Sequence, residues 1–484
     1  MKKPNAFAVV AMMVVGLMIG LTACGDDDDP ENPAPKVTIS LRSCSITEGT
    51  EYVASDLTEV TLSYNNVVAV SPSANITLNG VKCAAASSAA TAMDVVVTLP
   101  TLEAGTSYTL DIPAGSIVGK NDATASAPAY KVSFSTKAKP DTGSIPADPV
   151  TASSPQAKAL YQILLNYYGQ KVVSSVMANV NWNNDCAEKV YKLTGRYPAM
   201  NCYDFIHVCF SPANWIDYTN IKPVTDWVND GGLVQLMWHF NVPKKEGSAD
   251  VTCTPSETTF KTANVFVDGT WEHQWFYEQM DKVAATILQL QQAGIAATWR
   301  PFHEAAGNAT AKQQAGWTKS WFWWGYDGAE TYKKLWRTMF DYFKQKGINN
   351  LIWVWTTQNY NGNSQQYNQD TDWYPGTDYV DIVARDLYGC NAAQNAKEFS
   401  EIQAAYPNKM VALGECGYGD NGGVRTEQGF IGDCFNQGAA WSHFMVWYQG
   451  GQGSTDTMCS DDWWRNVMKS DCVVTRDELP TLHN

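Results

Sequence analysis

Eight unbroken apolar runs constrain this chain more than any other feature. They are Lys171–Met177, Pro198–Phe205, Gly232–Phe240, Ala296–Glu304, Leu351–Thr356, Val380–Tyr388, Met410–Glu415 and Trp441–Trp447. A strand with one wet face alternates polar and apolar residues; a continuous run marks a strand covered on both faces, as in a parallel sheet. Helical stretches lie between most of the runs. In 276–293 the residues Met280, Val283, Ala284, Ile287 and Leu288 recur at helical spacing, and Gly294 follows as a C-terminal glycine. Eight such strands in roughly 330 residues predict an α/β fold, a (β/α)8 TIM barrel with extended loops, over 151–484.

In that fold catalytic side chains stand at the carboxyl ends of strands. The fourth run ends in Trp299-Arg300-Pro301-Phe302-His303-Glu304, and the seventh in Leu413-Gly414-Glu415. A single Glu is ordinarily a surface residue. Two of them at matching strand tips are what glycoside hydrolysis requires: one carboxyl that is protonated near neutral pH and one that is ionised. A separation of about 5–5.5 Å would mean a retaining mechanism, and about 6.5–9.5 Å an inverting one.

The segment Arg300-Pro301-Phe302-His303-Glu304 resembles the acid/base segment of glycoside hydrolase family 26, in which His precedes the Glu. The resemblance continues through Trp238-His239-Phe240, Phe322-Trp323-Trp324-Gly325, Arg385-Asp386-Leu387-Tyr388, Gly414-Glu415 and Val446-Trp447, in order and at strand ends. It implies endo-β-1,4-mannanase activity, with β-1,3-xylanase and mixed-linkage β-glucanase as sibling specificities. It also implies roles. Glu304 becomes the acid/base and Glu415 the nucleophile. Tyr388 donates to Glu415, and Asp386 orients Tyr388 or Arg300 or binds a sugar hydroxyl. Arg300 pairs with a carboxylate beneath the site, with a purely structural ion pair as the alternative. His239 and His303 bind hydroxyls of the sugar in the −1 subsite, Trp447 lies under that sugar, and Trp323 and Trp324 flank the plus side of the cleft with at least one of them stacking on a sugar, loop packing being the alternative. His207 and His443 are expected to be core residues, and so is Cys416. A non-catalytic glycan-binding protein is the reading from another class, and it predicts loss of a catalytic Glu; both are present.

The N-terminal third differs in character. Met1-Lys2-Lys3 and the apolar stretch to Leu21 form a secretory signal. Leu21-Thr22-Ala23-Cys24 resembles a bacterial lipobox, so 1–24 is expected to be a lipoprotein signal peptide and Cys24 the lipidation site, anchored to the outer membrane through its acyl chains. Gly25 and four Asp follow, within an acidic, proline-bearing tether over 25–35. The acidic run resembles the surface-export signal of Bacteroidota lipoproteins; a solvated charge run is the alternative, and with it the periplasmic face. Residues 36–137 are rich in Thr, Ser, Val and Ala, in short alternating strands such as Asp94–Leu99. They read as a small all-β sandwich, and Tyr108–Ile117 with Lys131–Thr136 resembles bacterial Ig-like domains. A Pro- and Gly-bearing linker occupies 138–150.

A formal net charge of −15 argues against nucleic-acid phosphates as partners and suits a neutral or basic substrate better than an acidic polysaccharide. Nineteen Trp and 23 Tyr supply faces on which sugars stack. Eleven scattered Cys besides Cys24 show no zinc spacing, so no metal or cofactor is expected, and a monomer is.

Overall fold

The computed structural model describes residues 37–480, apart from 54–56, 104, 137–143, 180–181, 308–319, 358–369, 422–423 and 449–456. The signal peptide, Cys24 and the tether therefore lie outside the described residues.

The first part of the chain is all-β. One sheet orders Leu41–Cys44, Glu59–Tyr64, Asp94–Thr98 and Ala84–Ser87; a second orders Thr50–Val53, Tyr130–Thr136, Ser107–Ile112, Thr77–Leu78 and Val81–Lys82. The pairings are antiparallel except that between Thr50–Val53 and Tyr130–Thr136. Alternate residues such as Val60, Leu62, Val95, Val97, Leu110 and Val132 form one buried cluster, as period-2 side chains on facing sheets should.

The second part is a closed parallel barrel. Its strands are β1 (Val172–Met177), β2 (Met200–Asp204), β3 (Leu233–Trp238), β4 (Ala297–Pro301), β5 (Leu351–Thr357), β6 (Ile382–Tyr388), β7 (Met410–Gly417) and β8 (His443–Val446). Each pairs in parallel with the next, and β8 and β2 both pair with β1, which closes the ring. All eight apolar runs are therefore barrel strands, and every residue of β1 to β5, β7 and β8 is buried. Around them stand α1 (Pro155–Tyr167), α2 (Asp185–Thr194), α3 (Lys222–Asn229), α4 (Trp271–Gln292), α5 (Ala329–Gln345), α6 (Ala392–Ala405), α7 (Ile431–Asn436) and α8 (Asp461–Val467). α4 begins earlier than its apolar periodicity suggests, because the Thr270 hydroxyl accepts from the His273 amide and caps it. Gly294 ends it at φ +75°, a left-handed conformation that glycine adopts without steric cost.

Two backbone irregularities aim the strand-tip carboxyls. In β7 Leu413 pairs with Arg385 while Glu415 pairs with Asp386, so Gly414 is an extra residue. A Cβ on Gly414 would meet Asp386 Oδ1 at 2.6 Å and Arg300 Nε at 3.1 Å, which shows that position 414 faces the barrel interior. Strict alternation would then turn Glu415 outward toward the helices. The bulge lets residues 414 and 415 both face inward. In β4 the strand stops at Pro301, and Phe302 and Glu304 take positive φ, 47° and 53°. Such conformations cost about 1–3 kcal/mol each in non-glycine residues and persist where neighbours over-determine them. Here Tyr332 donates to the Phe302 carbonyl (3.1 Å), Trp324 to that of His303 (2.8 Å) and the Gly307 amide to that of Glu304 (3.1 Å).

Candidate active site

The two irregular tips meet over the carboxyl end of the barrel. One carboxylate oxygen each of Glu304, Asp386 and Glu415 lies within 4.8 Å of the others. Arg300, fully buried, sits beneath them. Its Nη1 donates to Glu415 Oε1 (2.8 Å), its Nη2 to Asp386 and its Nε to Thr356 (2.8 Å). Tyr388 donates its hydroxyl to the other oxygen of Glu415. Glu415 is thus gripped on both oxygens by donors, and the guanidinium charge lies against it.

Glu304 is in a different electrostatic position. Burial pushes its carboxyl well above the usual range, the neighbouring Asp386 and Glu415 charges push it further, and Arg300 only partly offsets them. Burial also lifts Asp386; Arg300 pulls it back and Glu415 repels it, leaving it at about 7. Asp386 Oδ1 has no N–H or O–H partner among the described residues, and a protonated Glu304 is the donor at hand. Glu304 keeps the proton because Arg300 pairs with Asp386 and not with it. The three carboxyls could in principle hold a cation, but a guanidinium already pairs with two of them, and the third is the one whose carboxyl most favours keeping its proton. The cluster is therefore arranged to move protons. A carboxyl whose folded pKa is raised binds more protons folded than unfolded, so this site makes stability fall as pH rises from the unfolded Glu range toward the raised value.

Two histidines form the next layer. His239 Nε2 and His303 Nε2 are 3.1 Å apart, and His303 Nε2 is 3.9 Å from Glu415 Oε1. Burial works against charge on His239, but the Asp204 carboxylate at its Nδ1 outweighs this and raises its pKa. His303 is held well below the usual imidazole range by burial, by His239 and by Arg300. It is a neutral hydrogen-bonding group. Trp447 is half-buried, with its ring 5.5 Å from that of His239. Beneath it Met177, Cys202, Met237 and Met445 plug the barrel.

Eight of the ten catalytic and substrate-binding residues expected from the sequence therefore converge: His239, Arg300, His303, Glu304, Asp386, Tyr388, Glu415 and Trp447. Trp323 and Trp324 do not. They are 1% and 0% exposed, too buried to stack on a sugar, and this corrects the expectation that they flank the cleft. Their indole N–H groups instead bond the carbonyls of Phe240 (2.6 Å) and His303 (2.8 Å) and so hold the β3 and β4 tips. Phe322, half-buried and stacked on Trp324 at 4.3 Å, is the aromatic of that loop that faces both histidines, 5.2 Å from His303 and 5.7 Å from His239. Asp204 was also missed. It ends β2 and accepts from the His239 amide (3.0 Å) and the Ile206 amide (2.9 Å) as well as from the His239 ring. An Asp at the tip of the second apolar run was the signal. Cys416 is buried, as expected. His443 is buried too, with Nε2 unpartnered among the described residues, whereas His207 is half-buried beside Phe210 and Trp215. All eleven described cysteines are free thiols.

Known proteins resemble this chain over the barrel. The chain is 51% identical to the crystal structure of the family 26 domain of an endo-β-mannanase/endo-β-glucanase from Prevotella bryantii, with a TM-score of 0.65, covering 69% of this chain and 99% of that one. It is 30% identical, at a TM-score of 0.55, to a β-mannanase from a symbiotic protist of the termite Reticulitermes speratus, solved with a gluco-manno-oligosaccharide; 70% of this chain and 98% of that one are covered. Mannan endo-1,4-beta-mannosidase B of Piromyces sp. is 28% identical over 340 residues, 68% of this chain and 53% of that protein. The chain spans about half the length of such curated relatives. The family model for glycosyl hydrolase family 26 matches residues 150–478. That match runs from just before α1 to the last turn after the barrel and takes in both irregular strand tips, so the chain is a member of glycosyl hydrolase family 26.

Proposed function

We propose that this chain is a retaining endo-β-1,4-mannanase that cleaves β-mannan, galactomannan or glucomannan by double displacement. The carboxyl cluster carries the reading. Carboxylate oxygens within 4.8 Å of one another lie nearer the close spacing of retaining enzymes than the wider spacing of inverting ones, which supports double displacement. Glu415 attacks the anomeric carbon while Glu304 protonates the departing glycosidic oxygen. Glu304, now ionised, takes a proton from water, which releases the sugar with its configuration retained. Asp386 keeps Glu304 protonated until that moment. His239 and His303 bind hydroxyls of the −1 sugar, which rests on Trp447. The names of the relatives support mannan as the substrate.

Assays on mannan, β-1,3-xylan and mixed-linkage β-glucan, with NMR of the first anomer released, test the proposal. Hydrolysis of mannan to β-configured ends is expected. Preference for another polymer would overturn the specificity, and α-configured ends the mechanism.

Two further results are expected. kcat/KM falls on the alkaline side as Glu304 loses its proton, and Asp386→Asn, which removes a repelling charge, moves that limb to lower pH; a limb that stays in place would separate it from Glu304. Tyr388→Phe removes a charge-assisted hydrogen bond worth about 1.5–3 kcal/mol. Its kcat should fall roughly 10- to 100-fold, with fold stability lowered by no more than about 3 kcal/mol.

The same reading extends to the cell. The lipobox-like Leu21-Thr22-Ala23-Cys24 supports lipidation at Cys24 and an outer-membrane anchor, and the acidic run supports exposure on the cell surface, with an Ig-like domain spacing a monomeric barrel from the membrane. Protease shaving of intact cells tests this: survival of the protein would place it inside.

A further inference from the structure

On the rim beyond β2 the structure exposes two aromatic rings that it could have buried. Phe210 is 42% exposed and Trp215 is 53% exposed, with ring centroids 5.9 Å apart and planes at 47°. The His207 ring stands edge-on behind Trp215 at 5.2 Å. Among the described residues the exposed aromatics are Tyr191, Phe210, Trp215 and Tyr326, and Phe210 and Trp215 alone touch each other.

The loop that presents them is fixed. Trp215 sits in a tight turn closed by two hydrogen bonds between Ala213 and Ile216 (2.8 and 3.2 Å). Ile216 is buried. The Tyr218 amide bonds the Ser211 hydroxyl (3.0 Å), and Thr286 on α4 bonds the Tyr218 carbonyl (3.1 Å). A rigid backbone that holds large apolar faces in water marks a binding surface. It also connects to the catalytic centre: the Tyr218 hydroxyl donates to the carbonyl of Asp204 (2.7 Å) and accepts from the His207 amide (3.3 Å), and Asp204 holds His239. His207 lies three residues past Asp204, within about 11 Å of extended chain.

Size decides what binds. Two aromatic side chains offer at most about 300–500 Å², well under the roughly 800 Å² per partner of a stable protein interface. The area suits sugar rings. Direction follows from the chemistry of the cleft. With Glu304 on β4 as the proposed acid/base, the leaving group lies toward β4, and the opposite rim, formed by β8, β1 and β2, is left for the rest of the polymer. We propose that Phe210 and Trp215, braced by His207, form a distal glycone subsite that stacks the apolar faces of a β-linked hexose chain upstream of the cleavage point. This rests on the proposed polysaccharide hydrolase activity and adds where the chain is gripped.

The test compares mannohexaose, long enough to reach the rim, with an aryl β-mannobioside, which stops short of it. In the full-length protein carrying Trp215→Ala, the ratio of the two KM values should rise roughly three- to tenfold, Phe210→Ala should act in the same direction, and Trp215→Tyr should restore most of the loss. Wild type that hydrolyses mannohexaose beside variants with an unchanged KM ratio, or an equal loss on both substrates, would overturn the subsite alone. Wild type that hydrolyses no mannan substrate would overturn the activity, and the subsite with it.

Discussion

Glu415→Ala should lower kcat on mannan by on the order of 10⁴-fold or more, with KM changed far less, because on the proposed mechanism it removes the nucleophile from a step that has no other. Glu304→Ala should lower it as severely on polymer but much less on an aryl mannoside with a good leaving group, which needs no proton. Azide separates the two roles. In Glu415→Ala it enters the space left by the carboxylate and gives an inverted, α-configured glycosyl azide. In Glu304→Ala it attacks the covalent intermediate and gives a β-configured one. Both side chains lie at strand tips whose backbone other groups hold, so both variants should fold. The result that would sink the assignment is mannan hydrolysis surviving in either variant, or the two azide products exchanged.

Arg300→Met should be the most destabilising substitution in the site. The guanidinium is 0% exposed and pairs with Asp386, also 0% exposed at its side chain, and with Glu415 at 7%. Removing it leaves two buried carboxylates without a counter-charge, and breaking such a pair costs about 3–5 kcal/mol. For a domain of this size that corresponds to a fall of roughly 10 °C in melting temperature. Activity should fall as well, since Glu415 loses one of the two donors that aim its carboxylate. Arg300→Lys keeps the charge but cannot reach Glu415, Asp386 and Thr356 at once, so its loss should be intermediate. Calorimetry on the two variants checks the order. An unchanged melting temperature in Arg300→Met would mean that the ion cluster contributes nothing to the fold.

Much of the barrel was legible because its signal is local. Buried parallel strands declare themselves as continuous apolar runs, and all eight lie where the runs lie. The Glu residues at two run ends, with Arg300 and His303 beside one and Gly414 beside the other, were legible for the same reason. Asp204 carried the same signal at the end of β2, but it was masked by belonging to no recognised motif. The aromatic loop was legible only in part. Four successive large aromatics cannot all be buried, and Trp321 and Phe322 are half-exposed as that predicts. Which two go inside depends on the cavity between β3, β4 and α5, and the sequence contains no local record of that cavity.

Sequence alone determined the order of strands and helices and which side chains stand at the strand ends, because both follow from short-range periodicity and chain connectivity. Only the tertiary structure decided that Glu415 turns inward, since this requires an inserted Gly414 whose missing Cβ matters only when Arg300 and Asp386 are already packed against it. The division of labour among the carboxyls was decided there too. Glu304 keeps its proton because Arg300 leans on Asp386 and Glu415 instead, and Coulomb interactions act between residues that are neighbours in space while lying up to 115 positions apart in the chain.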